Sequence, residues 1–257
     1  MLHLQKFIWE NKDNWEELLK HAPYSLTIKH DYGFIIFNYQ LFDSDMSNPI
    51  VQEARGIILR EETFEAVCVP FYKFFVEGHA FAAPIDWATA RVQDKKDGSI
   101  MKLWYDKVGQ KWWISTNGMI NAYDSPCVSP HIEEKMQTTT FGELFMACAK
   151  AQHLNFDTLG KGYTYMFELV SLYNQQVIRY ENPEIWHIGT RNNTTLIECN
   201  PNIGIQKPEE YNFTSLNEVV KVATELQDKE GYVIVDANWN RVKVKSPYYV
   251  AKSHYFN

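Results

Sequence analysis

Gln93-Asp-Lys-Lys-Asp-Gly-Ser-Ile100, the stretch QDKKDGSI, sets two lysines and an aspartate ahead of a turn glycine, between segments that read as strands. Asp-Gly is a bend signal, and a Lys-x-Asp-Gly core arises by chance in roughly one chain in twenty. Taken alone it reads as a solvated hairpin turn. Whether it is that or a reaction centre depends on the segments around it.

Immediately around it, TARVQ (89–93), SIMKLWYD (99–106) and KWWIST (111–116) predict a meander, the last two strands joined across Lys107-Val-Gly109. Upstream, KDNWEELLKH (12–21) has helical spacing behind a capping Asp13 or Asn14. YSLTIKHDYGFIIFNY (24–39) predicts two strands around Asp31-Tyr32-Gly33, with further strands at GIILR (56–60) and FEAVCVPF (64–71). Downstream, a helix is expected from about Thr140 to His153, with Leu144, Phe145 and Cys148 on one face. TYMFELVS (164–171), EIWHIGT (184–190) and TLIEC (195–199) return to strands, and SLNEVVKVATELQ (215–227) predicts the last helix. GYVIVDANWNRVKVKS reads as a hairpin folded at Asn238-Trp-Asn240. Strands joined by short turns outnumber helices, which favours an α+β fold on antiparallel sheets.

The bulk numbers narrow the class. At 257 residues the chain suffices for one large domain, or a domain with a small appendage, and 15% aromatic content suits a strand-rich core. No apolar run approaches the ~18 residues of a membrane span, and the N-terminus turns polar too soon for a signal peptide. Cys68, Cys127, Cys148 and Cys199 lie far apart, so neither a zinc site nor a disulfide framework is expected. A reduced, intracellular protein follows. A net charge of −7 argues against a protein that coats nucleic acid. Yet Ala237 to Asn257 contains no acidic residue and holds Arg241, Lys243, Lys245 and Lys252, so a local phosphate site can survive the acidic whole.

Three stretches weigh against the plain turn. In YMFELV, Glu168 sits in an apolar strand and alternates onto one face with Met166 and Val170. A carboxylate there is costly unless paired, or unless the strand is an edge facing water. In DKEGYVIV, Glu230 precedes a β-branched run. In RVKVKS, Lys243 and Lys245 project from one strand face, where they repel unless an anion lies between them or the face is solvated.

Lys-x-Asp-Gly-Ser, Phe-Glu, Glu-Gly-Tyr-Val and Val-Lys-Val-Lys, in this order from Arg55 to Tyr249, resemble the covalent nucleotidyltransferases: ATP-dependent RNA and DNA ligases and mRNA capping enzymes. QEARGIIL (52–59), PFYKFF (70–75) and KVKSPYYVAKSH (243–254) look like the phage tRNA-repair ligases, the RNA ligase 1 group. The resemblance implies an adenylation domain of ATP-grasp-like ligase type, on antiparallel sheets with flanking helices. It would span residues 1–257, with 1–50 a lead-in and 51–257 the motif-bearing core.

The implied activity is RNA ligation through a lysine-AMP phosphoramidate and an adenylated RNA 5′ end. Lys95 resembles the nucleophile, with Lys96 at the variable position. A free lysine titrates near ~10.4, and Lys243 and Lys245 are the expected cations that would lower that value and neutralise the phosphates. Asp97 and Gly98 resemble loop-shaping residues at the nucleotide. Glu168 resembles the carboxylate that binds ribose or a metal-bound water. Glu230 resembles the second carboxylate, the pair holding Mg²⁺ or Mn²⁺. Arg55 and Lys73 resemble contacts to the ATP triphosphate, and Tyr249 an aromatic that follows the lysine pair. Trp186, His187 and Ile188 all fall where adenine stacks.

Asn117 departs from the pattern, standing where a basic residue is expected. Residues 246–257 are too few for an OB-fold or a tRNA-binding domain, which favours an RNA ligase over DNA-ligase and capping relatives. A catalytically inactive RNA-binding module on the same fold is the reading from another class. The expected partners are RNA ends, among them a nicked tRNA anticodon loop, with no membrane, a monomeric state, and a cytoplasmic location (the host's, where the chain is phage-encoded).

Overall fold

The computed structural model describes residues 1–256. Its strands fall into three sheets. The first contains β1 (Thr27–Asp31), β2 (Phe34–Asn38), β3 (Arg55–Arg60) and β4 (Ala66–Cys68), in that order and antiparallel. Its second strand, FIIFN, alternates strictly: Ile35 and Phe37 pack with Leu4, Ile8 and Leu19, while Phe34 and Ile36 pack with Trp104 and Trp113. The N-terminal helices α1 (His3–Glu10) and α2 (Trp15–Lys20) therefore cover one face of this sheet. Glu53, at the end of α3 (Pro49–Glu53), accepts from His3 N and Leu4 N at 3.0 and 2.8 Å and so supplies the N-terminal cap of α1.

Two larger sheets enclose the site. One runs β11 (Glu198–Cys199), β10 (Glu184–Asn192), β9 (Tyr163–Val170), β7 (Ser99–Asp106), β8 (Lys111–Thr116). It packs on α4 (Phe141–Ala151), whose Leu144, Phe145 and Cys148 are buried as the spacing predicts, and whose Thr140 Oγ1 caps Glu143 N at 3.1 Å. The other runs β12 (Glu210–Tyr211), β6 (Arg91–Asp94), β13 (Gly231–Val235), β14 (Arg241–Lys245), β5 (Phe75–Val76). Helix α5 (Leu216–Ala223) buries Val219 and Ala223 against it. The chain closes with α6 (Pro247–Phe256).

Two expectations change. The meander is split: β6 joins the sheet of β13, whereas β7 and β8 join that of β9, so QDKKDGSI is a crossover between sheets and not a hairpin. Antiparallel pairing holds except between β14 and β5, which run parallel. Some elements are also shorter than expected, since Phe64–Phe71 keeps ladder bonds only over Ala66–Cys68 and Thr195–Cys199 only over Glu198–Cys199.

Candidate active site

The crossover is pinned at both ends. Lys95 N donates to Gly231 O at 3.0 Å, extending the β6–β13 ladder. Gly98 N donates to Glu168 Oε1 on β9 at 3.0 Å. A Cβ on Gly98 would lie 2.1 Å from Leu169 O, so only glycine lets the two backbones meet here. Gly231, at φ +145°, is held to glycine in the same way, because a Cβ would meet Val244 O at 1.9 Å.

Between these anchors Asp97 is buried with its carboxylate fully engaged. It accepts from Val177 N and Ile178 N at 2.9 and 2.8 Å and from the Tyr249 hydroxyl at 2.8 Å, while its own N donates to Tyr180 Oη at 3.0 Å. Asp97 therefore holds the loop's shape instead of offering oxygens to a ligand. Burial among carboxylates pushes the Tyr249 phenol well above its ordinary range and keeps it a donor.

Lys95 Nζ lies 2.7 Å from Glu230 Oε1. Glu230 is buried, and burial raises its carboxyl, opposed by Lys95. Burial also pushes Glu168 up to about 7, against the pull of Lys95 and with added repulsion from Glu230. Glu168 is on a central strand, which excludes the edge-strand reading. Lys243 and Lys245 project from β14, itself flanked by β13 and β5, so they do not form a solvated edge. Burial, with Lys73, Lys245, Lys95 and Arg55 as like charges, lowers Lys243 to about 7, and Lys245 is lowered as well. The repulsion expected of the lysine pair is thus resolved on the pair itself.

Lys95, Gly98 and Glu168 line a cleft of about 530 Å³ together with Arg55, Asn117, Ile188 and Phe74, within the range of small-ligand sites, whereas Lys73, Asp97, Glu230, Lys243, Lys245 and Tyr249 are not among its lining residues. Of the three adenine candidates, only Ile188 lines it: it is the bulged residue between His187 and Gly189, where β10 slips register against β9. His187 is a buried core histidine bonded to Thr190 Oγ1 at 2.8 Å and lowered to about 4 by burial, and Trp186 carries Lys96 Nζ 4.1 Å above its ring. Lys96, which also lines the cleft, pairs with Asp94 at 2.8 Å, whereas Lys95 pairs with Glu230.

Among the described residues no three His, Cys, Asp or Glu side chains are grouped to hold a metal ion. Half-buried Glu168, which lines the cleft, and buried Glu230 nevertheless repel each other as like charges close to Lys95. Such a pair suits a hard cation that keeps most of its water and takes phosphate oxygens for the rest.

Two basic residues near the site had no specific role in the sequence reading. Lys102 on β7 is wholly buried, donates through Nζ to Gly56 O, and is lowered to about 8 by burial. Arg241, which unlike Lys102 lines the cleft, makes a two-point pair with Glu198 at 3.0 and 3.2 Å and lies 4.2 Å over Phe71. Alternation in SIMKLWYD marks which residues share a face, but not which face is covered.

Comparison with known proteins places the chain. The RNA ligase family profile matches residues 53–249. A protein of Autographa californica nuclear polyhedrosis virus named "Putative bifunctional polynucleotide kinase/RNA ligase" is 30% identical over 242 residues, 86% of this chain and 33% of that protein. A "Putative RNA ligase" of Thermovibrio ammonificans is 26% identical over 231 residues, 84% of this chain and 55% of that protein. The structure of an archaeal ATP-dependent RNA ligase shares the fold, with a TM-score of 0.58 at 14% identity, over 99% of this chain and 66% of that one. The chain thus spans a third and just over half of the lengths of these two curated relatives.

Proposed function

The chain belongs to the RNA ligase family, and on that premise we propose that it is an ATP-dependent RNA ligase joining 5′-phosphate and 3′-hydroxyl ends. The observation that carries this reading is Lys95 on a crossover loop, 2.7 Å from the buried Glu230, at a cleft shared with the carboxylate of Glu168. A lysine held at a carboxylate and surrounded by cations suits capture of a phosphoryl group better than it suits a structural ion pair.

In the proposed reaction Lys95 Nζ attacks the α-phosphate of ATP. The N–P bond forms, the bond from α-phosphorus to the bridging oxygen breaks, and pyrophosphate leaves. Glu230, at 2.7 Å, is placed to take the proton the amine sheds. Arg55, Lys73, Lys243 and Lys245 are the residues that balance the phosphate charge, and Ile188 packs on the adenine. Glu168 and Glu230 would hold a divalent cation, Mg²⁺ or Mn²⁺, which supplies further positive charge to the phosphates when bound. AMP then passes from Lys95 to an RNA 5′-phosphate, and a 3′-hydroxyl displaces it as the strands join.

The test is incubation with ATP or GTP labelled at the α-phosphate, with Mg²⁺, followed by a denaturing gel. Label from ATP that survives denaturation and disappears in Lys95→Ala supports the reading. Labelling by GTP alone points to a cap-forming enzyme, and an unlabelled protein to an inactive module. Lys95→Ala is expected to keep joining a pre-adenylated strand, since that step no longer needs the amine.

A further inference from the structure

Beside the cleft lies a second pocket, about 190 Å³, which shares Phe74 and Arg241 with it. Its other walls include Lys73, Phe75, Phe81 and Trp239. At this size it is below the ~300 Å³ at which pockets for whole small molecules begin, so its occupant is a fragment of something larger. We infer that this pocket takes one unpaired base of the RNA strand being joined, as that strand leaves the cleft past Phe74. The inference rests on the ligase reading and adds to it a strand-binding subsite.

The chemistry of the walls selects that occupant. Phe75 carries His79 stacked at 4.6 Å and Phe81 edge-on at 5.8 Å, and Phe81 remains 45% exposed. Exposed aromatic rings next to cations are the composition of sites that stack single-stranded bases. The two arginines of the pocket, Arg191 and Arg241, share the single carboxylate of Glu198 at 3.7 and 3.0 Å, so one positive charge is left over. Lys73 has no carboxylate partner among the described residues; its ammonium sits over the Tyr39 and Phe75 rings at 5.2 and 5.6 Å. It also bears on Lys243 as a like charge, and it directly precedes Phe74, which lines both cleft and pocket. Once pyrophosphate has left, a backbone phosphate of the strand supplies counter-charge there, with its base on the rings of Phe81 and Trp239.

The pocket is also built to stay in place. Trp239 sits in the β13–β14 turn, where the buried Asp236 accepts from Asn238 N and Asn240 N at 2.9 and 3.0 Å. The same carboxylate accepts from Asp86 N at 3.0 Å, and Thr89 Oγ1 accepts from Ala237 N at 3.0 Å. The segment carrying Phe81 is therefore tied to the turn carrying Trp239, and neither ring is used by the adenylation chemistry.

The experiment measures binding of a fluorescent, 5′-phosphorylated single-stranded RNA by anisotropy, with ATP labelling of Lys95 run in parallel. Phe81→Ala and Trp239→Leu are each expected to weaken RNA binding roughly 5- to 100-fold, the loss of one stacked base, while labelling by ATP stays unchanged. A 5-iodouridine near the joining end should cross-link to Phe81 or Trp239. RNA affinity within twofold of the parent in both variants, with cross-links elsewhere, overturns the subsite. A parent protein that binds RNA through these rings but takes no label from ATP overturns the ligase reading and leaves the subsite standing.

Discussion

The Tyr249 hydroxyl donates to Asp97 Oδ1 at 2.8 Å, joining the last helix to the loop that carries Lys95. A side chain of the last helix thus helps hold the loop that carries Lys95. Tyr249→Phe removes a hydrogen bond to a buried carboxylate, at a cost of about 1.5–3 kcal/mol. The expected result is a lower Tm and adenylation slowed by about 10- to 100-fold through misplacement of the loop, with KM for ATP little changed. Full adenylation by a destabilised Tyr249→Phe protein would detach this bond from catalysis.

Lys243, lowered to about 7 by burial and its cationic neighbours, makes the cluster sensitive to pH. The unfolded chain holds this proton up to about 10.5 and the folded chain only to about 7, so stability rises with pH between those values. Lys243→Met is therefore expected to stabilise the free protein by on the order of 1–3 kcal/mol at pH 7, an advantage that closes towards pH 10.5. Triphosphate binding favours the charged lysine, so ATP should take up protons at pH 8. Calorimetry in buffers of different ionisation enthalpy measures that uptake, and the Lys243→Met variant should show less of it together with weaker adenylation.

The candidate site residues were legible because each lies in a short segment with its own logic. Glu168 interrupts an apolar strand, Lys243 and Lys245 share a strand face, and Gly98 and Gly231 mark close backbone approaches. The route of the chain was less legible. Asp97-Gly98 signals a bend equally well in a hairpin and in a crossover, and only pairing with distant β9 and β13 separates the two. Helix α1 has only half a local cap, Gln5 Oε1 accepting from Leu2 N at 3.0 Å, and its other free amides are met by Glu53, far along the sequence, so the local start signal is weak. Lys102 reads as an ordinary strand lysine because its burial is created by segments such as Gly56.

Glu168, raised to about 7 by burial, carries a charge that folding disfavours. For an acid raised in the folded state, stability is lost as pH climbs from about 4.5 through 7. Glu168→Gln keeps an oxygen for Gly98 N and removes the charge. It should gain on the order of 1–3 kcal/mol at pH 8 and nothing below pH ~4, while slowing adenylation by about 100-fold. Chemical denaturation at both pH values reads the first effect and the ATP-labelling rate the second. A pH-independent gain would mean that burial of this carboxylate has been misjudged.

Two glycines on the cleft wall make a matched pair for separating loop placement from bulk. A Cβ on Gly98 would lie 2.1 Å from Leu169 O and 3.0 Å from Val170 Cγ1, whereas a Cβ on Gly118 meets nothing within 4 Å. Backbone carbonyls cannot swing aside as a side chain can, so Gly98→Ala must lift the crossover off β9. It breaks the Gly98 N bond to Glu168 and is expected to lower stability by about 2–4 kcal/mol, as other severe overpacking does. The displaced Lys95 should lose adenylation by about 100-fold or more, since small misplacements of a nucleophile have that effect. Gly118→Ala should fold and take label like the parent. Equal labelling rates for the two variants would show that the close approach of the crossover to β9 has no part in presenting Lys95.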